Sequence, residues 1–493
     1  MMSFKRYSLW MIAFDTWKLG KNAIFFLVYF FLIKGSSDSF FFVYGRPAVL
    51  ILLGLSVVRI GLKWFTKKYC LDDHAFHLHE GIFTTSKRTI PFTKIENINE
   101  HTSFFHRLTG TTSIIFETGM KGDEAAVEFD IVSRSQANAL KEHVSTKLEK
   151  KETEELDAAE EKELSDRKIH FRAQKKDLLK ASFTSLSFLF FVPLIASLYS
   201  KLDDMFGVEK DAEGLIAFLL QSGWLIAIIA LLVILVSIGF GITRTFLKYG
   251  GFEITSDADR IYIQKGVVDA TKFSISKHRV QAIEIHQTVL KRLLGLAEVK
   301  LTSVGEARSD EVKLESNSLY PFLPVHQAYE MIEEMLPTYQ VTEKMNQLPR
   351  ASLWIRLMRP SFLWIIGTGV VWYFKPDILN VPWWVLSLIL LLIVSVIKYF
   401  DYKNTKYMLN EAFVQFKTGG LSTSLFVTKR SKVIEISVSR GFIQKRFGLT
   451  SIGIVNRSKP VHHSEVVDVP QELADAFYQW YLGRGKEVQL TRR

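Results

Sequence analysis

The sequence predicts a polytopic α-helical membrane protein with about six spans in three hairpins, each hairpin followed by a small cytoplasmic β-rich domain. Three observations predict it. Apolar stretches occur in close pairs, segments of period-two alternation follow each pair, and one short motif recurs three times along the 493 residues. A chain of this length is too long for one ordinary domain. Three copies of one module account for its length.

Six apolar stretches are candidate membrane spans. A bilayer core about 30 Å thick requires about 20 apolar residues per helix, so the first and fifth stretches are short for a full span. A buried hydrophobic hairpin is the alternative interpretation for any pair. The candidates are residues 23–33, 40–58, 181–199, 224–242, 362–374 and 381–397.

Basic residues flank one side of every pair, which predicts the orientation of the chain. Lys63 and Lys67 follow the first pair and Arg244 follows the second, whereas Asp203 and Asp204 lie inside the second. Cytoplasmic loops carry the excess of Lys and Arg. Both termini and all three β-rich blocks are therefore predicted to be cytoplasmic. A single cysteine, Cys70, allows no internal disulfide and agrees with a reducing compartment.

The β-rich blocks alternate apolar and polar residues. In the second block, Ile283 and Ile285 alternate with Glu284 and His286. Period two predicts strands with one buried face and one solvated face. An apolar stripe after the last strand predicts a C-terminal helix in each block. We therefore expect small antiparallel sheets, each closed by one helix.

The recurrent motif places basic residues at fixed distances from a glycine. The first copy runs from Lys94 to Gly110, the second from Arg279 to Gly295 and the third from Lys432 to Gly448. In each copy a further basic residue precedes the glycine by three positions. These residues are Arg107, Arg292 and Lys445.

The second copy carries a family resemblance. Residues 279–287, RVQAIEIHQ, followed by LKRLLGLA at 290–297, resemble the signature of bacterial pleckstrin-homology-like membrane proteins, and the whole arrangement resembles the YdbT-like group. The resemblance covers nearly the full chain. It implies PH-like domains, each a partly open antiparallel β-sandwich or barrel with a C-terminal helix. It also implies a smaller companion membrane protein with one such domain, and a role in envelope defence, including tolerance of membrane-active peptides such as bacteriocins.

The predicted organisation alternates hairpins with PH-like domains. Residues 151–170, rich in Glu and Lys, are interpreted as a helical linker. Residues 171–180 and 351–359 alternate basic and apolar side chains, as in helices that lie on a membrane surface. The hairpins are residues 17–60, 171–243 and 351–398, and the PH-like domains are residues 64–150, 246–338 and 403–484.

The predicted function is a non-enzymatic membrane scaffold or sensor. The expected partners are anionic lipids of the inner leaflet and the companion protein; a homo-oligomer is left open. The net charge of +11 belongs to residues beside the apolar stretches, and nucleic acid is not a predicted partner. The residues predicted to contact headgroups or a partner's acidic patch are Lys94, Arg107, Arg279, Arg292, Lys432 and Lys445.

Enzyme and transporter hypotheses find little support in the sequence. No nucleotide-binding or metalloprotease motif occurs, so no catalytic residue, cofactor or metal ligand is predicted. The cluster of His74, His77, His79 and Glu80 has the residue types of a metal site, but a solvated edge strand or turn is the favoured interpretation. A transporter component is the alternative function. Arg46 is the one charge within a candidate span, and a snorkelling anchor is the favoured interpretation.

Overall fold

The structure is a computed structural model. It describes residues 4–35, 39–82, 84–118, 126–149, 167–184, 223–303, 318–359, 361–374, 382–458 and 461–483. Most of the predicted linker and most of the third candidate span, 181–199, lie outside these residues. The chain divides into two compact units. The first comprises Met1–Thr255 and Tyr262–Ser274, and the second comprises Ser256–Ile261 and Ile275–Arg493.

Helices occupy the described parts of the apolar stretches and close each β-rich block. A π-helical segment, Val28–Ile33, continues α1. The helices are α1 Trp10–Leu27, α2 Phe40–Thr66, α3 Phe104–Thr109, α4 Arg134–Glu149, α5 Lys175–Thr184, α6 Gly223–Tyr249, α7 Val289–Leu293, α8 Val325–Met335, α9 Arg350–Met358, α10 Phe362–Phe374, α11 Trp383–Asn404, α12 Phe442–Arg446 and α13 Gln471–Leu482.

Two helices of the described chain, α2 and α11, are long and apolar enough to cross a membrane. Almost none of their side chains is buried within the protein, whereas the core helix of a soluble protein has most of its side chains buried. In α2, Arg46 donates from Nη2 to the carbonyl of Lys34 across 2.7 Å and from Nε to that of Phe30 across 3.3 Å. Arg46 therefore satisfies carbonyls at the end of the preceding helix, as an anchoring residue does.

The described strands of the three β-rich blocks lie where the period-two alternation predicts strands. Three others, Lys5–Arg6, Lys168–Arg172 and Asn346–Gln347, lie outside those blocks, and Lys168–Arg172 begins inside the segment 151–170 that was predicted to be a helical linker. The strands are β1 Lys5–Arg6, β2 Lys68–Leu71, β3 Ala75–Glu80, β4 Ser86–Pro91, β5 Ile95–Thr102, β6 Thr111–Thr118, β7 Ala126–Ser133, β8 Lys168–Arg172, β9 Glu253–Ser256, β10 Arg260–Lys265, β11 Ala270–Ser276, β12 Val280–Gln287, β13 Leu296–Ser303, β14 Ser318–Pro324, β15 Asn346–Gln347, β16 Lys406–Leu409, β17 Phe413–Thr418, β18 Thr423–Lys429, β19 Val433–Ser439, β20 Leu449–Asn456 and β21 His462–Pro470.

Consecutive repeats share a sheet in each unit. In the first unit, β5 pairs antiparallel with β11, which gives the strand order β7-β6-β5-β11-β10-β9-β8. In the second unit, β12 pairs antiparallel with β18, which gives the order β14-β13-β12-β18-β17-β16-β15. Two smaller sheets have the orders β1-β2-β3-β4 and β19-β20-β21. The alternation pattern does not predict this sharing, because it carries no information about which strands pair.

Apolar side chains between the strands and the closing helix form the core of each unit. In the first unit, Phe76, Phe116 and Phe129 pack with Val144 of α4. In the second, Phe416 and Phe426 pack with Phe477 and Trp480 of α13, and Ala282 of β12 joins them. The face of β12 that carries Ala282 was expected to be solvated. It is covered at this residue because β18 continues the sheet into the third repeat.

Glycines set the turns before β4, β11 and β18. Gly81, Gly266 and Gly419 have φ angles of 128°, 90° and 120°, which only glycine adopts without strain. At the third turn the glycine with positive φ is Gly419 and not its neighbour Gly420. A Cβ on Gly419 would lie 2.1 Å from the carbonyl oxygen of Ser422, the same clash that Gly81 and Gly266 avoid with Thr84 and Asp269.

Candidate functional site

The recurrent motif has the same local structure in all three copies. Each copy begins with one turn of 3₁₀ helix, continues as a strand with a bulge at its second residue, and ends in a short helix followed by glycine. We call each copy a signature segment. The signature segments are residues 92–110, 277–295 and 430–448.

The glycine at the end of each signature segment is required by the backbone. Gly110, Gly295 and Gly448 have φ angles of 66°, 65° and 66°. A left-handed residue after a helix ends it and redirects the chain, here into the next strand. The interval between the basic residue of the 3₁₀ turn and this glycine, which is the same in all three copies, therefore reflects a fixed helix-to-strand turn.

A polar side chain in the middle of each short helix is buried and anchors it to the sheet. His106 of α3 lies with Nε2 2.9 Å from the carbonyl oxygen of Asp130, and its Nδ1 lies 3.1 Å from the amide nitrogen of Ser103. Burial lowers the pKa of His106, which favours the neutral ring that this pattern needs. Nδ1 then accepts from Ser103 and Nε2 donates to Asp130.

The second and third copies use other residue types at this position. Lys291 of α7 donates to Glu298 across 3.0 Å. Burial alone would raise the pKa of Glu298, but the charge and hydrogen bond of Lys291 lower it. Gln444 of α12 donates to Ser451 across 3.1 Å and to Asp468 across 2.7 Å. This buried position was not predicted from the sequence. The one sequence signal for it is a polar residue four positions before each glycine.

Large apolar side chains on the short helices point away from the protein. Leu108 of α3 is 77% exposed, Leu293 of α7 is 78% exposed and Phe442 of α12 is 90% exposed. Scattered exposed apolar residues are normal on protein surfaces. Their recurrence on the same short element in three repeats indicates a surface that contacts something apolar.

Each short helix lies beside the base of a hairpin helix. In the first unit, Phe105 of α3 packs against Phe14 and Trp17 of α1, with ring centroids 5.5 and 6.5 Å apart. In the second unit, Arg292 lies 3.4 Å from the side chain of Asn404, the last residue of α11. In the same unit, Gln444 of α12 and Arg359, the residue after α9, both donate hydrogen bonds to the carboxylate of Asp468.

The six predicted contact residues fall into two sets at opposite ends of a strand. Lys94, Arg279 and Lys432 end the 3₁₀ turns before β5, β12 and β19. Arg107, Arg292 and Lys445 lie in the short helices after those strands. A strand of eight residues spans roughly 26 Å, so the two basic residues of one segment do not meet at one site.

Three of the six residues have contacts within the chain. Lys432 donates to the carbonyl of His278 across 2.7 Å, and burial lowers its pKa. Arg292 donates to the carbonyls of Gly420 and Leu421 across 3.3 and 3.0 Å. Arg279 is half-buried, and burial together with the charge of Arg457 lowers its pKa. Lys432 and Arg292 therefore link the second and third repeats through hydrogen bonds.

The other three residues, Lys94, Arg107 and Lys445, are exposed. Their side chains have no hydrogen-bond or ion-pair partner among the described residues. Of these, Arg107 and Lys445 lie on the short helices beside the exposed apolar side chains. A cation next to an apolar side chain is the pattern of a helix at a membrane interface.

The histidine cluster makes protein contacts. His77 Nδ1 lies 2.9 Å from Thr89 Oγ1, the ring of His79 lies 4.3 Å from that of Phe4, and Glu80 accepts from Arg88 across 2.8 Å. No group of three or more His, Cys, Asp or Glu residues in the described ranges is placed to hold a metal ion.

Comparison with known proteins agrees with the repeated architecture. Residues 23–148, 210–337 and 362–485 each match the family described as Bacterial PH domain. The chain is 26% identical over 473 residues to the UPF0699 transmembrane protein YdbT of Bacillus subtilis (strain 168), which covers 94% of each chain. No solved structure matches significantly. With three family matches over most of its length, and with apolar, exposed helices inside the first and third of them, the chain belongs to the bacterial PH domain family and is a membrane protein of YdbT type.

Proposed function

We propose that this chain is a non-enzymatic scaffold or sensor of the cytoplasmic membrane. Three hairpins, six spans in all, hold its PH-like domains on the inner leaflet, where the short helices contact anionic headgroups and the interface beneath them. The observation that carries the proposal is the pairing of exposed apolar and basic side chains on these helices, beside the bases of the hairpins. In α3 the pair is Leu108 and Arg107, and in α12 it is Phe442 and Lys445.

The position of the short helices supports membrane contact. A helix that packs against the base of a membrane-spanning helix lies at the depth of the headgroups. Trp10 and Trp17, both exposed, lie next to Phe105 of α3, with ring centroids 6.4 and 6.5 Å from it. Tryptophan is enriched at membrane–water interfaces because its ring is apolar and its N–H is polar.

The charges of the short helices suit an anionic surface. Each basic residue near such a surface contributes about 1 kcal/mol. Arg107 and Lys445 are available for this contact, whereas Lys94 lies at the far end of β5. Of the six residues predicted to contact headgroups, the proposal therefore retains only Arg107 and Lys445. The exposed apolar side chains beside them contribute to the same membrane contact.

Depth-dependent quenching tests the proposal on the full chain. Cys70 is buried, so a Cys70→Ala background allows single labelled cysteines at chosen positions. A fluorophore at Leu108→Cys is expected to be quenched by brominated lipids in nanodiscs. The matched control is Thr93→Cys, exposed in the 3₁₀ turn at the other end of β5, where no quenching is expected. Equal quenching at both positions would contradict the proposal.

Charge reversal tests the electrostatic part. Arg107→Glu is expected to reduce quenching at position 108 in anionic nanodiscs, and to have little effect in zwitterionic ones. Lys94→Glu makes the same charge change without the proposed contact. Added salt should act like Arg107→Glu, because exposed charges are screened over about 10 Å at 0.1 M salt. If Lys94→Glu and Arg107→Glu behave alike, the headgroup contact is wrong.

The proposed scaffold also has a protein partner, a smaller membrane protein with one PH-like domain. A role in tolerance of membrane-active peptides belongs to the same proposal. Loss of the chain should then sensitise cells to such peptides, and Leu108→Glu combined with Phe442→Glu should reproduce the loss at normal protein levels. Full tolerance in cells carrying this variant would rule out that the short helices act in it.

A further inference from the structure

The two shared sheets use one rule of strand pairing. In both, the strand of a signature segment pairs antiparallel with the last strand before the signature segment of the next repeat. His101 lies opposite Thr271 in the first unit, and His286 lies opposite Ser424 in the second. His101 and His286 each lie seven residues after the basic residue of their 3₁₀ turn, so the register is the same.

Two strands of this kind are left at the outer edges of the smaller sheets. β4 is the outer strand of the sheet β1-β2-β3-β4, and it corresponds to β11 and β18. β19 is the outer strand of the sheet β19-β20-β21, and it corresponds to β5 and β12. Within the described ranges, neither strand has a second neighbour.

Side chains of β19 are more exposed than those at the same positions of β12, which has a second neighbouring strand. Val438 of β19 is 46% exposed, whereas Ile285, at the same position of β12, is 3% exposed. Ile434 is 44% exposed, whereas Gln281, its counterpart, is 7% exposed. An outer strand with exposed β-branched side chains is a template for another strand.

We infer that β19 of one copy of this chain binds β4 of a second copy, in the register that the chain uses twice internally. Applied to these strands, the register places Lys87 opposite Val438 and Thr89 opposite Ile436. The aliphatic part of Lys87 would cover Val438, because lysine packs its methylene groups on apolar surface while its charge stays in water.

Charge supports a second copy as the occupant. The one charged residue of β19 is Glu435, whereas β4 carries Lys87 and Arg88. In the inferred register Glu435 lies opposite Ile90, and Arg88, which also donates to Glu80 of its own chain, is its diagonal neighbour on the same face. Opposite charges at such positions stabilise paired strands. Pairing of two β19 strands would instead bring together strands whose only charge is negative.

The carbonyl of Ile434 is compatible with β4 as the neighbouring strand. Its counterpart, the carbonyl of Gln281, accepts from Thr428 of the neighbouring repeat across 2.8 Å. The residue of β4 that corresponds to Thr428 is Ile90, which has no hydroxyl group. In the third repeat, the hydroxyl of Tyr481 donates to the Ile434 carbonyl across 2.6 Å, so this acceptor needs no donor from β4.

Disulfide trapping in intact membranes tests the inference. Two full-length chains with different tags are co-expressed in a Cys70→Ala background, one with Lys87→Cys and the other with Val438→Cys. Opposite residues of antiparallel strands have Cα atoms about 4.5–5.5 Å apart, within reach of a disulfide. A mixed-tag dimer is expected on mild oxidation.

Two matched variants make the result decisive. Arg88→Cys replaces Lys87→Cys at the adjacent residue, which points to the opposite face, and should give no dimer with Val438→Cys. Ile434→Lys, at an exposed position of the Val438→Cys chain, should abolish the Lys87–Val438 dimer by placing a charge against Pro91. A dimer with Arg88→Cys as strong as with Lys87→Cys would overturn the inference. A disulfide that forms only within one chain would also overturn it. The same holds if a disulfide forms to a different membrane protein and no mixed-tag dimer is found.

Discussion

Gln444 donates from Nε2 to the buried carboxylate of Asp468 across 2.7 Å, and this bond joins α12 to the last strand of the third repeat. Arg359 donates to the same oxygen across 3.0 Å, and Arg356 Nε lies 3.5 Å from the other. Asp468 is fully buried and has a φ of 63°, a left-handed conformation that Asp and Asn tolerate best. One carboxylate therefore holds the short helix, β21 and the segment that leads into the third hairpin.

Asp468→Asn is expected to destabilise the second unit by about 3 kcal/mol. Asparagine keeps the backbone conformation, but the buried guanidinium of Arg356 keeps Asp401 and loses its second carboxylate partner, and removing one partner from a buried ion-pair network is costly. Hydrogen exchange of α9 and β21 in the purified full-length chain measures the effect. Arg359→Ala is the control, because this side chain is half exposed and its ion pair contributes at most about 1 kcal/mol. Equal losses from both variants would contradict this account.

The buried pair of Lys291 and Glu298 is expected to be replaceable by the corresponding pair of the third repeat, Gln444 and Ser451, with little loss of stability. Glu298→Gln alone leaves the ammonium of Lys291 buried without its carboxylate, at a cost of about 1.5–3 kcal/mol. Lys291→Gln with Glu298→Ser recreates the Gln444–Ser451 hydrogen bond and should recover most of that loss. Thermal unfolding of the full-length chain measures it. A double variant no more stable than Glu298→Gln would show that the short helices are not equivalent.

Local patterns in the sequence predicted the repeat, the strands and the closing helices. Period-two alternation at Ile283 and Ile285 is a property of one strand, and a glycine after a helix is a property of one turn. The shared sheets could not be predicted this way, because pairing of β12 with β18 depends on residues more than 130 positions apart, such as Ala282 and Thr428.

The same limit explains the outcome for the candidate site. Lys432 and Arg292 have the residue type of headgroup contacts, and sequence alone does not separate them from Arg107. Only the folded chain shows that His278 and the turn at Gly420 and Leu421 accept their hydrogen bonds. The buried position of His106, Lys291 and Gln444 was missed because the three residue types share no chemistry apart from the ability to form hydrogen bonds.

Glu117→Gln is expected to stabilise the first unit at neutral pH. Burial raises the pKa of Glu117, although hydrogen bonds from Asn97 and Asn99 lower it in part. Because the folded-state pKa lies above the unfolded one, this carboxyl costs stability once the pH rises through the folded value. Glutamine removes the charge. Its amide can donate to Asn97 Oδ1 or Asn99 Oδ1, two buried oxygens with no hydrogen-bond partner among the described residues, once the amide of that asparagine rotates. The melting temperature should rise at pH 7.5, and the gain should shrink on acidification; a lower melting temperature at pH 7.5 would contradict this reasoning.

His106 is expected to make the first unit sensitive to mild acid. Burial is the main cause of its lowered pKa, with smaller contributions from His101 and Lys18, while Asp130 acts in the opposite direction. A histidine whose pKa is lower in the folded state binds its proton first in the unfolded chain. Stability is therefore complete above about pH 6.5, the ordinary pKa, and falls as the pH drops below it.

His106→Gln is the matched variant, because glutamine occupies this position in the third repeat, where Gln444 Oε1 accepts from the amide of Gly441 across 2.8 Å. The introduced glutamine would accept from Ser103 and donate to Asp130 as the neutral histidine does, without binding a proton. Melting temperatures of the two chains should therefore be close at pH 7.5, and the wild type should fall further between pH 6.5 and pH 5. Parallel decreases would mean that His106 is not the group whose protonation loosens α3 from the sheet.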